Sequence, residues 1–207
     1  LQANIRAIVD AGGIASINHP NFKWSFDHES ISQVTGASLL EIFNGHPYTN
    51  LYGGHGHYSA EEIWDKVLSG GKPIFGVATD DSHNYKDFSP SHSNPGRGWV
   101  MVQSAALNKE SILEALSSGK FYASTGVYLD ELESSNNTIN ISVRTEDDDP
   151  LNLPEYVTTI TGYEGDILHE TNSLNVNYQL PKNEHYARAT IKSTEGFKAW
   201  TQPIFRT

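Results

Sequence analysis

The sequence contains no cysteine among its 207 residues. This absence excludes disulfide bonds and zinc sites built from thiolates, and it leaves the redox compartment of the protein undetermined. Nine histidines are present. Any metal site is therefore expected to use imidazole and carboxylate ligands.

Basic residues are also scarce, since 14 Lys and Arg face 25 Asp and Glu and the formal net charge is −11. Nucleic acid is excluded as an expected partner because binding to phosphate backbones needs clustered Lys and Arg. A small anionic substrate stays compatible with this charge, because a bound metal ion can reverse the local potential.

Long hydrophobic runs are missing as well, and none reaches the roughly 18 residues that a membrane span needs. The first residues lack the basic and then apolar pattern of a signal segment. Leu1 stands where an initiator methionine would, in a helix-like pattern, so we expect the chain to be a piece of a longer protein. The lack of cysteine fits a periplasmic or secreted protein without establishing that location.

Residues 1–125 alternate between apolar runs and helix-like patterns. Helices are predicted at 1–11, 59–69 and 108–118, and strands at 14–18, 39–43, 73–78 and 99–103. Such alternation predicts a parallel sheet or barrel with its site at the carboxyl ends of the strands. Phe121 and Tyr122 are interpreted as core aromatics that close the last helix.

Residues 126–207 contain no helix-like pattern. Their runs of Val, Ile, Thr and Tyr, separated by turn signals, predict a small antiparallel sandwich. The sequence therefore predicts two domains, 1–125 and 126–207. The acidic run at 146–149 is interpreted as a solvated loop, and Trp200 as a residue that packs against the first domain rather than a sugar-stacking surface.

Two carboxylates, a hydroxyl and an imidazole follow the apolar run at 74–78, as Asp80, Asp81, Ser82 and His83. Residues two apart in extended backbone point to the same side, so Asp81 and His83 can converge on one point. Their ligand chemistry suits Zn, Mn or Fe. The alternative is a polar turn that caps a strand and happens to contain a histidine.

Two further strand ends finish near histidines, His19 before Pro20 and His46 before Pro47. Polar residues at three strand ends favour a functional site over isolated structural histidines. Arg97 is either an anion clamp, because its planar fork matches phosphate oxygens, or a surface arginine in a glycine-rich turn. His46, His55 and His57 are interpreted as lid or surface residues.

The combination of five segments resembles the PHP (polymerase and histidinol phosphatase) family of metal-dependent phosphoesterases. These segments are ASINHP at 15–20, EIFNG at 41–45, DDSH at 80–83, GWVMV at 98–102 and ALSSGKFYASTG at 115–126. YARA at 186–189 and AWTQPIF at 199–205 resemble the tail of bacterial PHP proteins of the carbaryl hydrolase group.

This resemblance implies an α/β fold, a distorted (β/α)7 barrel holding two or three divalent metal ions, followed by a small all-β sandwich domain. It implies that His19, Asp81 and His83 are metal ligands and that Asp81 also orients the attacking water. Asp80 stands where the family often has a small residue, and we interpret it as a residue that supports either the metal ligands or the local structure. The implied activity is hydrolysis of a small phosphate ester, in which the ions lower the pKa of a shared water and polarise the ester.

The family's opening His-x-His motif, a further histidine and a bridging glutamate are absent upstream of His19. We therefore expect a truncated barrel that lacks its N-terminal half, partial or absent metal binding, and an inactive fragment. Two alternatives remain, a carboxylic or carbamic ester hydrolase of the same superfamily and a non-catalytic module that binds a glycan or a protein.

Overall fold

The computed structural model describes residues 1–135, 137–145 and 155–206, so the acidic run at 146–149 lies outside the described residues. Four helices occur in these ranges: α1 Gln2–Asp10, α2 His28–Gln33, α3 Ala60–Ser69 and α4 Lys109–Ser117. Side-chain caps formed by Asp27, Ser59 and Asn108 begin the last three. None of the helices in the described ranges has the length and hydrophobicity needed to cross a membrane.

Thirteen strands are found in the described ranges, separated by turns and two short 3₁₀ segments. They are β1 Ala15–Ile17, β2 Ala37–Asn44, β3 Phe75–Thr79, β4 Trp99–Val102, β5 Phe121–Ser124, β6 Leu129–Ser135, β7 Thr138–Val143, β8 Tyr156–Thr161, β9 Ile167–Thr171, β10 Asn175–Gln179, β11 Tyr186–Ser193, β12 Lys198–Thr201 and β13 Ile204–Phe205.

A three-stranded parallel sheet, in the order β1-β2-β3, forms one part of the molecule. Its strands are short and apolar, as expected for parallel strands buried on both faces. Helix α3 packs Ile63, Trp64, Val67 and Leu68 into the same core as these strands. The indole N–H of Trp64 donates to the carbonyl oxygen of Ile74 at 2.9 Å, which fixes the helix against the start of β3.

Two antiparallel sheets form the larger part. One has the order β10-β7-β6, and the other runs β4-β5-β12-β11-β8-β9 with β13 beside β11. Alternate residues of β7, including Ile139 and Ile141, share a buried cluster with Ile160 of β8 and Ile191 of β11. The two sheets therefore pack face to face over a common apolar core.

The predicted (β/α)7 barrel is wrong, because ten of the thirteen strands in the described ranges pair antiparallel and the described residues are only about 20% helical. Parallel pairing stops at β3, and β4 instead pairs antiparallel with β5, which pairs with β12. At the free edge of β3, the Gln202 side chain accepts from the Gly76 N–H and donates to the Gly76 carbonyl, both at 2.8 Å. A side-chain amide thus lies where a further parallel strand would have to pair.

The predicted domain boundary between residues 125 and 126 lies just after β5. Because β5 pairs with β12, one sheet contains strands from both sides of that boundary. Phe121 and Tyr122 are buried as expected, yet they lie on this strand and not at the end of a helix. Trp200 on β12 is 1% exposed and shares a core with Trp64. Its packing role is the one observed, and its ring offers no open surface for a sugar.

Candidate functional site

The carboxyl ends of β1, β2 and β3 lie at one edge of the parallel sheet, because all three strands run in the same direction. We call this edge, with the residues that follow each strand, the rim. His19 follows β1, Asn44 is the last residue of β2, and Asp81 and His83 follow β3. Polar residues at the ends of three separate strands are thus gathered at one edge of the sheet.

Glu41 joins the three strand ends. It is 2% exposed, and a buried carboxylate requires hydrogen-bond partners. Its Oε2 accepts from the backbone N–H of His19 and, at 2.8 Å, from Nδ2 of Asn44, while its Oε1 accepts from the Thr79 hydroxyl. Glu41 therefore fixes β1, β2 and β3 relative to one another where the rim begins.

Asp81 is held in an unusual backbone conformation beside this network. Its φ of 48° lies in the left-handed region, which costs a residue with a side chain on the order of 1 kcal/mol or more. Nδ2 of Asn44 donates to Oδ2 of Asp81 at 3.2 Å. Such strain, supported by a buried side chain, is frequent at functional sites.

His83 lies against Asp81, although Asp81 is in the left-handed conformation and not in the extended backbone on which the spacing argument relies. Nδ1 of His83 is 3.8 Å from Oδ1 of Asp81 and 2.7 Å from the Asp81 carbonyl oxygen. A carbonyl oxygen can only accept, so Nδ1 carries the hydrogen in this contact and Nε2 keeps the free lone pair of the neutral ring. The His83 side chain is 65% exposed and that of Asp81 is 29% exposed. Both can meet a ligand.

His46 belongs to the same group, although the sequence placed it on a lid or surface. Its ring meets that of His83 edge to face, with centroids 5.6 Å apart. Nδ1 of His46 accepts from the backbone N–H of Tyr48 at 3.2 Å, so the neutral ring carries its hydrogen on Nε2. The His46 and His83 rings therefore lie side by side at the rim, and Nδ1 of each is in a hydrogen bond with the backbone.

Asp80 has a local structural role, which is one of the two interpretations of its place in the sequence. Its Oδ1 accepts from the backbone N–H groups of Arg97 at 2.6 Å and Gly98 at 2.9 Å. This carboxylate anchors the turn before β4 to the end of β3.

The guanidinium of Arg97 makes three hydrogen bonds within the protein. NH1 donates to the Gly45 carbonyl at 3.0 Å, and NH2 donates to the Ser89 carbonyl at 2.6 Å and to Oδ1 of Asn94 at 3.2 Å. Only the remaining two of its five N–H groups could meet an anion. The anion clamp stays a prediction, and the observed role of Arg97 is to hold the segment around Ser89 against β2.

His19 is placed at the rim by its backbone and not by its ring. The ring contacts Phe22 edge to face at 5.6 Å between centroids, and φ of His19 is 32°. Within the part of the chain that the structure describes, no three His, Asp or Glu side chains are grouped so that they could hold a metal ion. The structure brings together Asp81 and His83, and it does not complete a three-ligand set with His19.

His55 and His57 lie in a hairpin turn away from this pair. The backbone groups of Gly54 and His57 exchange two hydrogen bonds of 3.0 Å, and the His57 ring stacks on Trp24 with centroids 4.2 Å apart. Their predicted placement on a lid or surface is compatible with this turn.

Sequence reasoning missed the roles of Glu41, Asn44 and His46. A signal for Glu41 exists, since a carboxylate in the middle of the apolar run at 39–43 must find partners when the strand is buried. The role of His46 depends on the path of the loop after β2, which no local pattern specifies.

Comparison with known proteins gives no relative: no family model, no curated protein and no solved structure matches this chain.

Proposed function

We propose that this chain belongs to a metal-dependent hydrolase, with phosphate esters as the first candidate substrates and the rim as the reaction site. The observation that supports the proposal is the pairing of Asp81 and His83, in which Nδ1 of His83 lies 3.8 Å from Oδ1 of the partly exposed Asp81 carboxylate. Carboxylate and imidazole ligands suit Zn, Mn or Fe.

The fit of a divalent metal ion to this pair depends on donor chemistry. Asp81 supplies a carboxylate and His83 supplies a neutral nitrogen whose tautomer is set by a backbone carbonyl, as is usual for metal-binding histidines. These two residues would hold the ion. A bound divalent cation lowers the pKa of its water toward neutrality and polarises the ester oxygen.

The other rim residues would position the proposed metal ligands or donate hydrogen bonds to the substrate. Asn44 orients the Asp81 carboxylate, and Glu41 orients Asn44 through the 2.8 Å hydrogen bond described above. The His46 ring contacts that of His83. Its Nε2–H would donate to an oxygen of a substrate bound beside His83, which would stabilise charge that develops on a leaving group.

A carboxylic or carbamic ester is the second candidate, and the charge of the rim favours it. Glu41, Asp80 and Asp81 are carboxylates, and the Arg97 guanidinium beside them is largely engaged in hydrogen bonds. Without a cation to offset these carboxylates, a phosphate dianion is repelled more strongly than a neutral ester.

Metal binding and turnover test the proposal separately. Calorimetric titration of this chain with Mn²⁺ or Zn²⁺ should show binding that Asp81→Asn and His83→Gln each weaken about tenfold or more. His169→Gln, a histidine on β9 stacked on Tyr178, is the matched control and should leave binding unchanged.

Turnover should be measured on the natural gene product, with p-nitrophenyl phosphate, p-nitrophenyl acetate and an aryl N-methylcarbamate in the presence of each metal. Phosphate release that requires metal and is lost in Asp81→Asn identifies the first candidate, and hydrolysis of a neutral ester identifies the second. Metal binding and turnover that both survive Asp81→Asn and His83→Gln would refute the proposal.

A further inference from the structure

A cleft lies between α3 and the outer face of the seven-stranded sheet. Its volume is about 800 Å³, within the range of about 300–1,000 Å³ typical of ligand pockets. Nothing in the proposed hydrolysis uses it.

One wall of the cleft is a row of side chains from paired strands. Thr159 of β8 lies opposite Thr190 of β11, and both face the cleft. The Thr190 hydroxyl accepts from NH1 of Arg188 at 2.8 Å, and the Thr159 hydroxyl donates to Glu170 at 3.3 Å. Because each hydroxyl has one donor and two acceptor positions, this wall offers fixed partners for the hydroxyl groups of a ligand.

The opposite wall supplies a carboxylate that is already held in place. Glu61 of α3 forms an ion pair with Lys198 of β12, and their side chains are 26% and 28% exposed. Both side chains are therefore partly accessible, and both line the cleft. Groups fixed by their own protein contacts lose little conformational entropy when a ligand binds.

Tyr52 stands at the mouth of the cleft with 81% of its surface exposed. It also lines a smaller cavity of about 330 Å³ that contains His46, so the two cavities adjoin at this residue. An exposed phenol ring offers a flat apolar face together with a polar tip.

The charges around the cleft are nearly balanced. Four carboxylates and three cations line it: Glu61, Glu62, Asp65 and Glu170, and Arg188, Lys192 and Lys198. Most of these charged groups form ion pairs with one another, as Glu61 does with Lys198 and Asp65 with Arg188. In a chain whose net charge is −11, this local balance gives no preference for an anion or a cation.

We propose that this cleft is a binding site for a neutral saccharide, with sugar hydroxyls on the threonine and carboxylate walls and the apolar face of one ring against Tyr52. Fixed hydroxyl and carboxylate partners, near-zero local charge and an exposed aromatic face at the mouth together match the chemistry of a polyhydroxylated ring. The site is independent of the metal and of hydrolysis at the rim.

The test is a calorimetric titration of this chain, without added metal, against cellotetraose, chitotetraose, mannotetraose and xylotetraose. At least one is expected to bind, and a sulfated heparin tetrasaccharide is expected to bind no more tightly. Failure of all four neutral probes at millimolar concentration would overturn the proposal, and so would preferred binding of the sulfated probe.

Variants then place the binding in the cleft. Tyr52→Ala and the double variant Thr159→Val with Thr190→Val are each expected to weaken the affinity about tenfold. Phe88→Ala is the matched control, since Phe88 is 67% exposed and lies outside the cleft. Thermal unfolding verifies that each variant is folded. Unchanged affinity in both cleft variants would contradict the assignment, whereas unchanged affinity in Asp81→Asn is expected because the rim is not involved.

Discussion

Asp65 and Asp81 are both carboxylates paired with a cationic or basic side chain, and their surroundings differ sharply. Asp65 is 5% exposed and receives hydrogen bonds of 2.7 Å from both Nε and NH2 of Arg188. Burial alone would lower the pKa of Arg188, but the Asp65 carboxylate outweighs burial and raises it. Burial also raises the pKa of Tyr186, whose hydroxyl thereby stays protonated beside Asp65.

The Asp81 side chain is more exposed than that of Asp65 and has fewer hydrogen-bond partners. It is held by one hydrogen bond of 3.2 Å from Asn44, lies in left-handed backbone conformation, and faces a histidine that keeps a free nitrogen. The pair of Asp65 and Arg188 joins α3 to β11, and both carboxylate oxygens of Asp65 accept hydrogen bonds from Arg188. Residue types alone therefore do not distinguish an enclosed pair from an open one, whereas the hydrogen bonds made by each polar atom do.

The largest expected effect follows from breaking the buried pair. Asp65→Ala should lower the free energy of unfolding by about 3–5 kcal/mol, because Arg188 would remain buried without its partner. Urea denaturation measures it. The double variant Asp65→Leu with Arg188→Met should recover most of the loss, and a loss in Asp65→Ala below about 1 kcal/mol would show that the pair is not buried in solution.

Gln202→Leu should have the next largest effect. It leaves the N–H and carbonyl of Gly76 without the two hydrogen bonds of 2.8 Å at a buried edge, which should cost about 2–3 kcal/mol. Gln33→Leu at the exposed end of α2 is the control. Equal denaturation midpoints for the two variants would argue against the contact.

The pH dependence of stability tests a third contact, the ion pair between Glu61 and Lys198. Burial raises the pKa of Glu61, but Arg188 and Lys198 outweigh it and hold the pKa below its ordinary value. The folded state therefore binds fewer protons than the unfolded state, so this carboxylate stabilises the fold at neutral pH and the contribution is lost as the pH falls below about 5.

Glu61→Gln should accordingly lose less thermal stability than the wild type between about pH 5 and pH 3. Thermal unfolding followed across this range measures the slope. Glu114→Gln, on the exposed face of α4, should give a curve parallel to the wild type. A Glu61→Gln curve that is equally parallel would contradict the assigned role.

Asp81→Gly should have the smallest effect on stability and so sharpens the contrast with Asp65. Relief of the left-handed backbone offsets the lost hydrogen bond from Asn44, and we expect a change within about 1 kcal/mol. Urea denaturation should therefore give nearly the wild-type curve, while Mn²⁺ or Zn²⁺ binding is lost. Destabilisation comparable to that of Asp65→Ala would show that Asp81 is a structural residue.

Local features of this fold could be predicted from the sequence because local chemistry determines them. The cap at Ser59 with an acidic first turn correctly predicts α3, and the structure completes it with Glu62 as a capping box. The apolar runs likewise predict β1, β2 and β3 together with the polar residues that follow them. Asp81 and His83 are the one pair of predicted ligands that the structure brings together, but a left-handed residue at Asp81 joins them and not the extended backbone that the spacing argument assumes.

The barrel prediction failed because strand pairing is a long-range property. β5 pairs with β12, so that Ala123 lies opposite Trp200, and nothing within residues 121–124 indicates a partner so distant in the chain. The alternation of strands and helices correctly indicated parallel pairing for β1, β2 and β3, yet it gave no information on where that pairing would stop. The positions of Glu41 and His46 were likewise set by contacts between elements.

The contact between Gln202 and Gly76 has a consequence for the behaviour of the protein in concentrated solution. An outer strand with unpaired backbone groups is a template on which a second molecule can add its own strand, and many proteins aggregate by this route. At Gly76 the template is already occupied by a side chain that reproduces both hydrogen bonds of a neighbouring peptide. Gly76 is buried and Gln202 is only 4% exposed, so this edge is closed from within the fold and β3 offers no unpaired backbone at that position.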